Sequence, residues 1–339
     1  MSLNINDMVQ KYITENGSKS PSTAQTLTTS LKRLTKILDK DFSKIQSKDF
    51  KNTSKIIDLI TESYSLNTTI QTILGIIKFL AFKDADEDLI DEYRQILNEL
   101  IQERNSSQGK QEFKEGEKEN WIEYPELKKK VEELSNEYLT KKKAFTAFRN
   151  FLIVCLYVLM PPARIGNYLD MIKKDSSNMK RKAESLNKKN NYVVRNKEND
   201  FTFIFNKYKT AKNLGSIKYE VKSNILNQML EKYFKDYNNN PKVKNFMINA
   251  SGKPMTQVNF TNSQASITNK LLDKKITNNQ FRRIFFTHFL STNPSVEDKI
   301  EVLKISGQSY KPAQIEKYDR SKKEGDEELE SFLNTQFNN

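Results

Sequence analysis

Residues 278–290 read NNQFRRIFFTHFL, a stretch whose apolar residues predict a helix that Arg282 and Arg283 interrupt near its start. An arginine here has an ordinary reading, as a solvated position beside Arg283, and a functional one, as a fixed cation facing an anion. The surrounding sequence decides between them. Downstream, VEDKIEVLKIS (296–306) predicts a second helix, and SGQSYKPAQIEKYDR (306–320) supplies Gly307, Gln308, Tyr310 and Tyr318. Upstream, NILNQMLEKYF (224–234) predicts a helix. FTFIFNKYK (201–209) and IKYEV (217–221) show strand alternation around the turn-like AKNLGS, and NYVV (191–194) reads as a further short strand. WIEYPELKKKVEELSNEYL (121–139) and KKKAFTAFRNFLIVCLYVLM (141–160) predict helices, the second strongly apolar and buried. Pro161-Pro162 must end or kink it, because proline lacks a backbone donor and crowds the preceding turn.

Before Trp121 the sequence changes character. RNSSQGKQEFKEGEKE (104–119) is polar and nearly free of apolar anchors, a linker composition. The N-terminal part carries amphipathic helical groups: Leu27, Leu31, Leu34 and Leu38, with Ser22 or Thr23 as N-cap; Ile56, Ile57, Leu59 and Ile60; Ile70, Ile73, Leu74, Ile77 and Leu80; and Leu89, Ile90, Tyr93, Ile96, Leu97 and Ile101. A chain of 339 residues is long enough for two cores. A net charge of +13 favours a polyanion, nucleic acid before an acidic membrane surface. One cysteine, Cys155, forbids an internal disulfide, and one histidine, His288, excludes a Cys/His zinc site. The apolar run Phe151–Met160 is too short to span a bilayer, so a soluble, intracellular protein with no membrane contact is expected.

Four polar residues stand out in order: Arg164 in PPARIGNYLDM, Lys209 in NKYKTAKNLG, Arg282 in FRRIFFTHFL, and Tyr318 near the C-terminus. Over roughly Lys141 to Arg320 this arrangement resembles the tyrosine recombinase (phage integrase) family. That family carries an arginine, a hairpin lysine, a His-x-x-Arg, a Gly-His or Gly-Trp, and then the tyrosine. Pro161-Pro162 before Arg164 is similar to members from large DNA viruses and their mobile elements. The resemblance implies a mainly α protein with a small β-sheet. A helical core-binding domain (1–104) and a linker (105–119) would precede a tyrosine recombinase-like catalytic domain with its C-terminal tail (120–339). It also implies double-stranded DNA as partner, a homo-tetramer on paired sites, and no metal or small-molecule cofactor.

The chemistry accounts for these residue types. Transesterification of a phosphodiester needs a nucleophile, neutralisation of the charge gained by the phosphorane, and a proton for the leaving oxygen. By the resemblance Tyr318 is the nucleophile, Arg164 and Arg282 hold the non-bridging oxygens, and Lys209 protonates the 5′ oxygen. Lys207 and Lys212 lie close by, and strand alternation would put Lys207 and Lys209 on one face. The Lys-Thr pair selects Lys209. Two positions depart from the pattern: Asn279 replaces the first histidine, and Gln308 follows Gly307. Both amides can hydrogen-bond a phosphate oxygen or orient the tyrosine, but neither exchanges a proton near neutral pH. Gln308 to Tyr318 is one residue longer than the usual interval, while Tyr310 is too near Gln308 to substitute.

His288 corresponds to a structural position of the family, and Cys155 reads as packing. The basic segment 177–197 tracks DNA phosphates, serves as a nuclear import patch, or is a mobile solvated insertion. Two other readings compete with a site-specific recombinase: a type IB topoisomerase, and a DNA-binding protein that keeps the fold without the chemistry.

Overall fold

The leucine stripe of the N-terminal part is the spine of a helical unit. In a computed structural model of the chain, which describes residues 4–15, 21–109, 113, 116–176 and 186–308, this unit comprises residues 1–110 and a second comprises 111–339. The first contains α1 (Ile5–Glu15), α2 (Pro21–Ile37), α3 (Thr53–Ser63), α4 (Leu66–Phe82) and α5 (Glu87–Gly109). Leu27, Leu31 and Leu34 are buried, together with Ile56, Ile60, Ile70, Ile73, Leu80, Ile90, Tyr93 and Leu97. Leu59, expected in the same apolar group as Ile56, is instead 36% exposed. The sequence reading also differs at the start of α2. The helix opens on Pro21, so Ser22 and Thr23 fall in its first turn and neither is the cap; proline's fixed φ and missing donor suit that first position. Helix α1, which the reading did not foresee, buries Met8 and Val9. Helix α5 continues to Gly109, into the stretch expected as linker.

Helices α2 and α4 cross at Gly75. A Cβ there would lie 2.7 Å from the Ser30 Cβ, which the α2 backbone holds in place. The Ser30 hydroxyl also donates to the Gln71 carbonyl at 2.9 Å.

The second unit is built around α7 (Phe145–Val158), whose residues from Phe151 to Val158 are all buried. It packs against α6 (Tyr124–Thr140) and stops before Pro161-Pro162, as the proline chemistry requires. The short α8 (Ile165–Tyr168) follows. Strands β1 (Ile172–Asp175), β2 (Tyr192–Lys197), β3 (Asp200–Phe205) and β4 (Ile217–Glu220) form a sheet in the order β1-β2-β3-β4. The β1–β2 pair is parallel and the other two are antiparallel. Between β3 and β4 lies the single turn α9 (Ala211–Leu214). The expected strand over 201–209 ends at Phe205, so Lys207 and Lys209 sit in a turn and strand parity does not govern them. Helices α10 (Asn224–Lys232), α11 (Gln257–Leu272), α12 (Asn278–Ser291) and α13 (Val296–Ile305) complete the unit. Helix α12 is the segment NNQFRRIFFTHFLS, capped by the Thr277 side chain.

An ion cluster ties the sheet to α10. Arg195 on β2 bonds Asp175 on β1 at 3.0 Å and Glu231 on α10 at 2.7 and 2.8 Å. Burial raises the Glu231 pKa, but hydrogen bonds from Arg195, Lys235 and the Asn199 N–H outweigh it and hold the carboxyl below its usual range.

Two outcomes follow for stability. Gly75→Ala is expected to lower the urea midpoint of the first unit, since an overpacking cost of about 1–3 kcal/mol exceeds the helix gain of about 1 kcal/mol; a raised midpoint would show that α2 yields. A depressed carboxyl pKa stabilises the fold above the ordinary carboxylate range, and that contribution is lost as pH falls through the folded value. Glu231→Gln should therefore cost about 2 kcal/mol at pH ~7 and show a shallower acid limb in urea titrations than the parent chain. An unchanged acid limb would assign the acid sensitivity elsewhere.

Candidate functional site

Arg164 occupies the N-cap position of α8 in an extended conformation, and its carbonyl accepts the Asn167 N–H at 2.9 Å. The paired prolines place it there by stopping α7 a few residues earlier. Arg282, on α12, is only 3% exposed. Its Nη1 donates to the Pro162 carbonyl and, at 3.4 Å, to the Ser306 carbonyl. One guanidinium thus joins the segment leading into Arg164 to the end of α13. The Tyr157 and Tyr168 phenols lie within its electrostatic reach; burial raises both pKa values, and the Arg282 charge opposes the rise.

The end of α13 has a specific geometry. The Gly307 N–H bonds the Lys304 carbonyl and the Gln308 N–H bonds the Leu303 carbonyl, both at 2.8 Å. This pair of bonds is a Schellman turn, with Gly307 supplying the left-handed residue at φ +69°. The demand for glycine is conformational: a Cβ would make only ordinary van der Waals contact with the Tyr208 ring at 3.4 Å and Asn167 Nδ2 at 3.5 Å, but the positive φ strains any side chain. Gln308 follows in a buried position, 6% exposed.

The turn carrying the lysines is held by Asn191, itself 5% exposed and immediately before β2. Its Oδ1 accepts the N–H groups of Asn206 (2.8 Å) and Lys207 (2.7 Å). Its Nδ2 donates to the carbonyls of Asn167 and Lys207, each at 2.9 Å. Capture of the Asn206 and Lys207 amides by a side chain removes them from the ladder, which is why β3 stops at Phe205. The same asparagine connects this turn to α8. On the far side of the turn, the Thr210 hydroxyl donates to the Gly307 carbonyl at 2.9 Å.

Four segments are therefore bonded to one another: the Arg164 turn, residues 206–210, α12 at Arg282, and the Gly307-Gln308 turn. Lys207, Lys209 and Lys212 are all exposed. Asn279 is exposed on the first turn of α12. Tyr318 and Tyr310 lie outside the described residues. Asn191, Thr210, Tyr208 and Asn167 escaped the sequence reading: Asn191 is one asparagine in an Asn-rich stretch, and no spacing rule marks it. His288 is partly buried and stacks on Tyr124 with ring centroids 5.1 Å apart. Cys155 is fully buried in α7, where burial pushes its thiol up to about 12.

Comparison with solved structures gives the fold its class. The XerH site-specific recombinase bound to its difH substrate, a pre-cleavage complex, aligns over 96% of this chain and 84% of its own with a TM-score of 0.54 at 13% identity. XerA recombinase aligns over 98% of both chains with a TM-score of 0.39 at 11% identity. No protein-family model matches the chain, and no curated protein matches it significantly. The chain has the tyrosine recombinase fold: helical, with a small four-stranded sheet. Among the described residues, no helix is long and apolar enough to cross a membrane.

Asn191→Ala would leave two N–H groups and two carbonyls in search of partners. We expect it to destabilise the second unit by about 2–4 kcal/mol in urea unfolding, given roughly 1 kcal/mol or more per buried bond lost. Asn191→Asp keeps the two acceptor bonds but turns an oxygen toward two carbonyls, and should be no better. A loss below about 0.5 kcal/mol in Asn191→Ala would show that the turn is held by other contacts.

Proposed function

We propose that the chain is a site-specific DNA recombinase that cuts and rejoins double-stranded DNA through a 3′-phosphotyrosine. The observation that carries this reading is the bonded meeting of the Arg164 turn, the lysine-bearing turn, Arg282 and Gly307-Gln308. Arginines on adjoining segments suit a phosphate that gains charge as it is attacked, because their charge is permanent and their bonds strengthen with it. The net charge of +13 suits the polyanionic substrate.

In this mechanism Arg164 and Arg282 bind the non-bridging oxygens, and the Tyr318 oxygen attacks phosphorus. The bond from phosphorus to the 5′ oxygen breaks, and Lys209 delivers a proton to that oxygen. The products are a 3′-phosphotyrosine and a free 5′ hydroxyl. Asn279 and Gln308 orient the tyrosine or a phosphate oxygen; the tyrosine proton passes to water, since an amide cannot accept it. The phosphotyrosine conserves the phosphoester bond, so attack by a partner's 5′ hydroxyl reseals the strand. Exchange between two duplexes cut on both strands calls for four protomers, a homo-tetramer on paired sites.

Duplexes selected by the chain from a random-sequence pool, then nicked at successive positions, would trap the intermediate as the short cleaved strand diffuses away. The expected result is an SDS-resistant protein–DNA adduct that Tyr318→Phe abolishes and Arg164→Lys reduces by about 10²-fold or more. Binding of the same duplexes should weaken steeply between about 50 and 200 mM salt. Tight binding with no adduct at any nick would make the chain a DNA-binding protein of this fold. Relaxation of a supercoiled plasmid lacking the selected sequence would make it a type IB topoisomerase.

A further inference from the structure

Residues 116–120 form a turn soon after the boundary between the two units, and they hold α12 and the loop that leads into it. The Glu117 carboxylate, 8% exposed, pairs with Arg283 Nη1. The Glu117 carbonyl accepts Gln280 Nε2 at 3.1 Å. The Asn120 side-chain oxygen accepts the Lys275 N–H at 2.7 Å, and the Glu119 carbonyl accepts Lys274 Nζ at 2.9 Å. The contacts bracket Asn278 and Asn279 in sequence, with Lys274 and Lys275 on one side and Gln280 and Arg283 on the other.

A partly buried ion pair is a weak source of net stability, because desolvation offsets most of the attraction. Its geometry, however, is sharply defined. Here it fixes the residue beside Arg282, on the helix whose first turn exposes Asn279. Residues 279 and 282 are one helical turn apart and share a side of α12, so holding that turn sets both together.

We infer that Glu117 is a positioning residue: through Arg283 and Gln280 it clasps the first turns of α12, so that Asn279 and Arg282 meet a DNA phosphate in one fixed geometry. The phosphate rests on the recombinase reading above, whereas the clasp does not.

Hydrogen exchange of the full chain, read on a peptide spanning 277–291, tests the clasp; trapping and equilibrium binding on the nicked duplexes test its consequence. Glu117→Gln should speed exchange in the first turns of α12 by about tenfold and leave peptides from α7 and β2 unchanged. Trapping should slow by about tenfold, with DNA affinity held within about twofold. Arg283→Gln should reproduce both effects, and Glu117→Arg combined with Arg283→Glu should reverse much of each. Unchanged exchange in Glu117→Gln overturns the clasp. Faster exchange with unaltered trapping overturns the positioning role. A wild-type chain that forms no adduct overturns the recombinase reading and the positioning role with it, while the exchange comparison still decides the clasp.

Discussion

Arg282 brings a permanent positive charge into an interior where it is 3% exposed, and much of the second unit is arranged around that fact. A buried guanidinium is tolerable only when its donors are used. One of the oxygens it finds is left over from a helix ending, Ser306 at the C-cap of α13, and another is the Pro162 carbonyl in the segment that follows α7. The requirement runs both ways. The charge needs those carbonyls, and the end of α13 needs a donor. Neither paired prolines nor a Schellman turn would suffice alone to bring the Arg164 segment and Gly307-Gln308 to one place.

Around this charged bond the remaining links are neutral. Asn191 uses acceptor and donor at once, holding the 206–207 amides on one side and the Asn167 and Lys207 carbonyls on the other. Thr210 closes the circuit to Gly307. An amide and a hydroxyl suit this task because they keep the same hydrogen-bonding capacity across the pH range, and their directionality fixes the loop. The Tyr208 ring lies at contact distance from residue 307, where the left-handed backbone conformation is what calls for glycine.

What could be read in the sequence followed the strength of its period. The leucine stripe of α2 and the apolar run of α7 left little choice of structure, and both are found where the pattern places them. Helix α11 escaped because its buried stripe, Phe260, Gln264, Ile267 and Thr268, is half polar, so no apolar repeat marks it. Strand β1 escaped because all four of its residues are half-buried and show no alternation. The parity argument for Lys207 and Lys209 failed for a tertiary reason, the capture of two backbone amides by a side chain that local pattern cannot foresee. The apolar neighbours of Arg282 on α12 single it out in the sequence, and its burial follows from them. Asn191 has no such mark, since a hydrogen-bonding hub leaves no periodic trace.

The two amides at 279 and 308 then acquire a physical meaning that the sequence pattern alone did not carry. Gln308 is 6% exposed, and a histidine in such a place would be driven toward its neutral form by desolvation. Glutamine reaches neutrality without that cost and keeps a donor and an acceptor at every pH. Asn279 is exposed, so burial does not explain its identity. It stands instead on a turn whose flanking residues are tied down by 117–120, where a short amide is held in place by the backbone beneath it. In the proposed site the arginines are always charged and the amides always neutral. Any titration of activity in the physiological range must then arise from the tyrosine, the lysines or the DNA. The grip on phosphate and the movement of protons, which histidines would combine, are here assigned to different residues.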